Sequence, residues 1–166
     1  MIAGSRPAPP EPVARRLVAC RLAADADELA GHHAIRRAVF VDEQGLFAGE
    51  DRDAYDDRAA TLHAVGFVDG RLCGAVRLHP LGGPVWRGDR LAVLRRDRHT
   101  SLGAALVRFA VRTAGEAGGA RMVAMVQVPN VRFFEFLGWA RDGPVVPYHG
   151  VAHQPMAIGL SAGRDR

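Results

Sequence analysis

The run Leu91–Leu106, LAVLRRDRHTSLGAAL, places an apolar strand-like segment directly ahead of a helix-forming one, joined by a short connection containing Arg, Thr, Ser and Gly. A strand that enters a helix through so short a loop leaves the helix's first backbone N–H groups unpaired and pointing one way. Those donors, with the positive end of the helix dipole, form an anion site. A phosphate or pyrophosphate is its natural occupant, and Arg95, Arg96 and Arg98 make the connection strongly positive.

Charge is segregated elsewhere too. From Asp42 to Arg58 seven acidic residues face Arg52 and Arg58, a local balance of -5, and from Trp86 to Arg112 seven arginines face Asp89 and Asp97, a balance of +5. Such separation favours an anionic ligand at one place and a cationic one at another. No Ser-His-Asp arrangement, P-loop or zinc cluster is present, and the adjacent His32-His33, expected to be exposed on a helix, lacks the i, i+4 spacing of a metal pair. No metal is expected.

The elements that must position the anion site can be read from periodicity. Arg16 to Leu22 is expected as a first strand. Asp25-Ala-Asp27 offers N-caps for a helix to about Phe40, with Leu29, Ala34, Ala38 and Val39 as its buried stripe. The acidic segment after it has Gly45 and Gly49 and no period, which predicts an irregular loop. Leu62–Val68 and Arg71–Leu78 flank Asp69-Gly70, a strong hairpin signal, and Pro80–Pro84 turns into a strand over Val85–Leu94. Ser101–Gly118 carries a helical stripe ending at Gly118-Gly119. Arg121–Val128 reads as a buried strand, Asn130 as the cap of a short helix over Val131–Leu137, and His153–Leu160 as the last strand. Phe133, Phe134, Phe136 and Trp139 are expected to cluster in the core. The order β-α-β-β-β-α-β-α-β predicts an α/β (α+β) fold, a mixed sheet with helices on its faces.

With 48% hydrophobic and 24% charged residues, the 166-residue chain has the composition of a globular protein, and no apolar window is long enough to span a membrane. The proline-rich residues 1–14 are expected to be a disordered leader and residues 15–162 a single domain. Cys20 and Cys73 have no metal-ligand spacing and read as free thiols in a reducing compartment, which points to the cytoplasm. All 22 basic residues are arginine, yet they are not interleaved in a nucleic-acid-binding pattern.

Arg98-His-Thr-Ser101-Leu-Gly103 resembles the Gln/Arg-x-x-Gly-x-Gly/Ala signature of the GNAT superfamily of acyltransferases, with Ser101 where the first glycine usually stands. Asn130-Val-Arg-Phe133-Phe-Glu-Phe-Leu-Gly138-Trp139 is similar to that superfamily's C-terminal Phe-Tyr-Glu-x-Leu-Gly-Phe segment. Val41-Asp-Glu43-Gln44 resembles the ElaA-like branch, and Val126-Gln127-Val-Pro-Asn130 with Gly150, His153 and Met156 resembles a GNAT subgroup found beside nitrilase genes.

The resemblance implies two central parallel strands that splay apart and hold acetyl-CoA as cosubstrate between them. Backbone groups of Leu91, Ala92 and Val93 would then pair with the pantetheine. Amides from His99 through Thr100, Ser101, Leu102, Gly103 and Ala104 would hold the pyrophosphate beside Arg98, and Gln127, Asn130 and Phe133 would flank the arm. It implies direct transfer to a small-molecule amine, with no membrane or nucleic-acid partner; a homodimer is a further expectation. Glu43 and His153 are the expected bases, since both residue types are tuned toward neutrality by partial burial. The tyrosine that protonates the leaving thiolate in many relatives is Phe134 here, which cannot donate. Two other readings remain open. Asp51-x-Asp53-x-Tyr55-Asp56 with Gly74-Ala-Val-Arg77-Leu78 resembles acyl-homoserine-lactone synthases, and the loss of the tyrosine fits a non-catalytic acyl-CoA sensor.

Overall fold

The computed structural model describes residues 15–161; the expected leader over 1–14 lies outside the described residues. The chain runs β1 (Val18–Leu22), α1 (Ala26–Arg36), a π-helical turn over Arg37–Glu43, a 3-10 turn over Ala54–Asp57, β2 (Leu62–Val68), β3 (Arg71–Gly82) and β4 (Val85–Val93). It continues through α2 (Leu102–Glu116), β5 (Arg121–Gln127), α3 (Val131–Phe136), β6 (Ala140–Arg141), β7 (Val146–Tyr148) and β8 (Val151–Gly159). The strands form one eight-stranded mixed sheet in the order β1-β2-β3-β4-β5-β8-β6, with β7 also paired to β8. This is the α/β architecture the sequence predicts, with β6 and β7 added. At two and three residues these strands are too short to show an alternating pattern.

The sheet is built from hairpins on one side. Asp69 (φ 50°) and Gly70 (φ 78°) turn β2 into β3 with both central residues left-handed, the conformation a two-residue hairpin needs. The step from β4 to β5 is different, because α2 carries the chain across and the two strands are parallel. They pair only at Val85–Arg87 against Arg121–Val123. Beyond Arg87 the register of β4 against β3 slips, and Arg90 adopts φ 53°, the mark of a bulge. The bulge bends β4 away from β5 and opens a wedge between them.

Helix α2 covers one face. Leu102 and Leu106 lie directly on Gly66 and Gly74; a Cβ at Gly74 would stand 2.8 Å from both leucines. These two glycines let the start of α2 sink onto the sheet. On the other face, Ile35, Val39 and Phe40 pack on Ala75 and Ala92.

Asp25 caps α1 as predicted, accepting from the Glu28 N–H at 2.8 Å. The α-helix stops at Arg36 rather than Phe40, and its buried side is His32, Ile35 and Arg36 instead of Leu29, Ala34 and Ala38, with Val39 buried in the π-turn. Polar pairing chose that face: His32 Nδ1 donates to the Ala64 carbonyl at 2.8 Å, and Arg36 binds two aspartates. His32 is therefore buried, not exposed. Burial, with Arg36 at 3.2 Å from Nε2, pushes its pKa down from 6.5 to about 3. The unfolded chain thus takes up a proton near pH 6.5 that the folded chain refuses, so His32 stabilises the fold fully above pH 6.5. That contribution is lost as pH falls, at about 1.4 kcal/mol per pH unit. Chemical denaturation at pH 7, 6 and 5 should show this loss, and His32→Gln should flatten the slope.

Candidate active site

The loop ahead of α2 is anchored from below. Asp97 is buried and takes two bonds from Arg71, at 2.8 and 3.0 Å, while the Thr100 hydroxyl donates to the Asp97 carbonyl at 2.6 Å. No side chain caps α2 at Ser101, so apart from the Leu102 N–H, 3.3 Å from Thr100 Oγ1, its leading amides face outward. A Cβ built on Gly103 would meet only Phe133 Cζ, at 3.8 Å, so the space above this turn is open. The arrangement fits a pyrophosphate. His99 and Ser101 are exposed beside it, Ala104 lies one residue further in, and the Leu102 side chain is core.

Glu43 does not stand where a base is needed. At the end of the π-turn it bridges Arg95 Nε (2.8 Å) and Arg98 Nη1 (2.9 Å), with a further bond to Arg98 Nη2. The Arg98 and Arg95 hydrogen bonds hold its carboxyl down at about 2, the opposite of tuning toward neutrality. Arg98 also covers the Val93 carbonyl at 3.0 Å. Both contacts leave Arg98 at the mouth of the wedge.

Inside the wedge lies a cavity of about 170 Å³, lined among others by Phe40, Gln44, Phe47, Arg87, Arg90, Leu91, Met122, Gln127, Asn130, Phe134, Trp139, Tyr148 and His153. Leu91 lines it, Leu91 and Val93 pack toward the α2-side core, and Ala92 turns to the α1 face. Gln127 Nε2 donates across the gap to Gln44 Oε1 at 2.9 Å. Asn130 lies at the rim but makes no capping bond to α3, contrary to expectation. Of the aromatic cluster only Phe134 and Trp139 are buried; Phe133 and Phe136 are 37% and 82% exposed, because six residues of helix present one face inward.

His153 is buried in the cavity wall opposite Gln127. Its Nδ1 bonds the Val151 carbonyl at 2.7 Å. A carbonyl only accepts, so Nδ1 carries a hydrogen, and in the neutral ring the lone pair lies on Nε2. Sequence reading missed Tyr148, whose ring packs edge-on to His153 at 5.1 Å. His149 (φ 48°) and Gly150 (φ 74°) form the two-residue turn that brings β7 and Tyr148 back onto β8.

Three acids of the segment expected to draw a cation, Asp51, Asp53 and Asp56, are held by arginines, while Asp42, Glu50 and Asp57 stay exposed. Arg36 bonds Asp51 (2.7 Å) and Asp56 (2.6 Å), Arg77 bonds Asp53, Asp56 and Asp89, and Arg90 bonds Asp51 and Asp53. Burial works to raise the Asp56 pKa, but the His63 and Arg36 hydrogen bonds overcome it and hold the carboxyl far below its usual range. His33, Asp56 and His63 bring donor atoms within 4.8 Å of one another, a spacing open to a metal. Asp56 is already neutralised by Arg36 and Arg77, which opposes a further cation there.

A mixed sheet whose two parallel strands splay beside the start of a helix defines the acyl-CoA N-acyltransferase fold. The chain belongs to the Acetyltransferase (GNAT) family, whose profile matches residues 32–139. Solved structures agree in fold. Escherichia coli ElaA superposes with a TM-score of 0.74 at 20% identity, covering 86% of this chain and 98% of that one. An acyl-CoA N-acyltransferase from Pseudomonas aeruginosa gives 0.73 at 22%, with the same coverage of 86% and 98%. The CoA-dependent acyl-homoserine lactone synthase BjaI, with SAM and isopentyl-CoA, gives 0.71 at 18%, covering 87% and 83%. Among the described residues no helix is long and apolar enough to cross a membrane.

Proposed function

We propose that this acyltransferase moves a short acyl group, acetyl foremost, from acyl-CoA to the amine of a small molecule by direct attack. The carrying observation is that β4 and β5 pair over three residues only, leaving the β5-facing edge of β4 along Leu91–Val93 without a strand partner beside an uncapped helix start, with Arg98 covering the Val93 carbonyl. In this reading the pantetheine arm lies along Leu91–Val93 like an added strand. The amides of His99, Ser101, Gly103 and Ala104 take the pyrophosphate, Thr100 spending its N–H on the Asp97 carbonyl at 3.1 Å, and Arg98 leaves Glu43 and the Val93 carbonyl for it. Gln127 and Asn130 flank the arm, and Phe133 closes the side of Gly103. A cavity of about 170 Å³ suits a short acyl group and a small acceptor.

Acyl-CoA supplies a thioester already activated toward amines. His153 Nε2 accepts the proton from the attacking amine, and the Tyr148 hydroxyl, beside it, replaces the one Phe134 lacks as donor to the leaving sulfur. Cys20 and Cys73 are free, and we assign the chain to the cytoplasm on that basis.

Thiol release from acetyl-CoA across an amine panel tests the reading. His153→Gln should lower kcat about 100-fold with acetyl-CoA affinity retained, whereas Glu43→Gln should leave kcat within about threefold. Binding of acetyl-CoA without turnover on any amine would instead favour the sensor. The convergence of Asp53, Asp56 and Arg77 in one network, together with the fold likeness to BjaI, favours a lactone-synthase-like enzyme as second reading. Stabilisation by S-adenosylmethionine would single it out.

A further inference from the structure

We infer that the acceptor carries a carboxylate and that Arg87 holds it, an inference that rests on the acyl-transfer reading. Two guanidinium groups line the cavity, Arg87 and Arg90. Arg90 is fully engaged: Nε and Nη2 donate to the Asp51 carbonyl at 3.2 and 3.0 Å, Nη2 also reaches Asp53 at 3.3 Å, and Phe47 stacks over the group at 4.4 Å. Its remaining nitrogen, Nη1, lies 3.4 Å from the Tyr148 hydroxyl.

Arg87 is the opposite case. Among the described residues it has no ion-pair partner within 4.0 Å, and its Nε–H is enclosed without an acceptor. The carboxylate two residues along the strand cannot serve it, because Asp89 is held in a two-point bond by Arg77 at 2.7 Å to each oxygen. A half-buried guanidinium with an unanswered donor, in the wall of a cavity, lacks an anion. The planar fork of guanidinium matches a carboxylate at two points.

The position of Arg87 separates this anion from the phosphates of acyl-CoA. Arg87 is the last β4 residue paired to β5, opposite Val123, at the closed apex of the wedge. The helix-start cradle lies beyond Val93, at the mouth. Six residues of strand between them span about 20 Å. A carboxylate at Arg87 therefore belongs to the acceptor. An amine bearing its own carboxylate, an amino acid or a close relative, meets this requirement, and it reverses the cationic preference that the acidic segment suggested. Of those acids, Asp51, Asp53 and Asp56 pair with Arg36, Arg77 and Arg90 instead.

The test is thiol release from acetyl-CoA with matched acceptors: each amino acid, its carboxamide and its decarboxylated amine. The free acids should be preferred by at least about 30-fold in kcat/KM, and Arg87→Gln should bring that ratio near one, chiefly through KM, with acetyl-CoA affinity intact. Arg87→Lys, which keeps charge but not the fork, should fall between. Equal losses for acid and amide in Arg87→Gln, or a wild-type preference for the uncharged acceptors, would overturn the inference. Should Arg87→Gln fail to fold, the wild-type ratio and the Lys variant decide. Should acetyl-CoA fail to bind at all, the acyl-transfer reading falls. The carboxylate is then read from thermal stabilisation by the amino acids alone, which Arg87→Lys must weaken.

Discussion

Gly103→Glu is expected to lower acetyl-CoA affinity about 1000-fold and to leave the fold standing. A carboxylate placed about 4 Å from a phosphate at the edge of the protein meets repulsion of about 4 kcal/mol, which corresponds to that factor. The same substitution is mild for the empty protein. Among the described residues a Cβ at this position meets Phe133 Cζ alone, at 3.8 Å, and α2 gains a better helix former with an acid in its first turn. Calorimetric titration and melting curves separate the two effects: a lost binding isotherm with an unchanged or higher Tm is expected. Unaltered affinity would mean that the start of α2 is a plain strand-to-helix turn. Gly103→Ala, adding only a methyl, should weaken binding far less.

The second large effect is on stability. Arg77 is completely buried, with Asp89 on one side at 2.7 Å and Asp53 and Asp56 on the other at 2.6 and 2.9 Å. Arg77→Leu removes the cation shared by three carboxylates, two of them little exposed to water. Breaking a buried network from one side costs about 3–5 kcal/mol, because the remaining charges stay uncompensated. For a chain of this length each kcal/mol moves Tm by about 2–4 °C, so a fall of roughly 10 °C is expected in a thermal melt. The contrast is Arg52, whose pair with Asp57 is 3.7 Å long and exposed on both sides. Arg52→Ala should stay within about 0.5 kcal/mol. A small loss for Arg77→Leu would show that water reaches the network.

What the sequence made legible was whatever a local pattern encodes. The Asp69-Gly70 turn, the stripe of α2 and the strand-to-helix junction each follow from neighbours in the chain. The face of α1 did not, because His32 and Arg36 are buried through partners as distant as Ala64, Asp51 and Asp56. Glu43 was misread for a related reason: its acidity is set by Arg95 and Arg98, some 50 residues away. His153 was visible as a residue type, while Tyr148 was hidden by the shortness of β7. Phe134, which carries no hydroxyl, drew attention to a missing donor but gave no clue to where another would come from.

The three-residue seam between β4 and β5 also bears on which strand edges the sheet offers to other chains. Unpaired strand edges recruit other chains, and sheets usually blunt them. Here the outer margins are β1, five residues long with Arg21 within it, and β6 and β7, of two and three residues with Pro147 between Val146 and Tyr148. The longest open edge, along β4 past Arg87, is internal, walled by β5 on one side and crossed by the Gln44–Gln127 bond. A polypeptide strand with side chains on both faces cannot thread that wedge, whereas a slender amide-bearing arm can. The opening proposed to admit a cosubstrate thus offers little free edge to a strand of another chain.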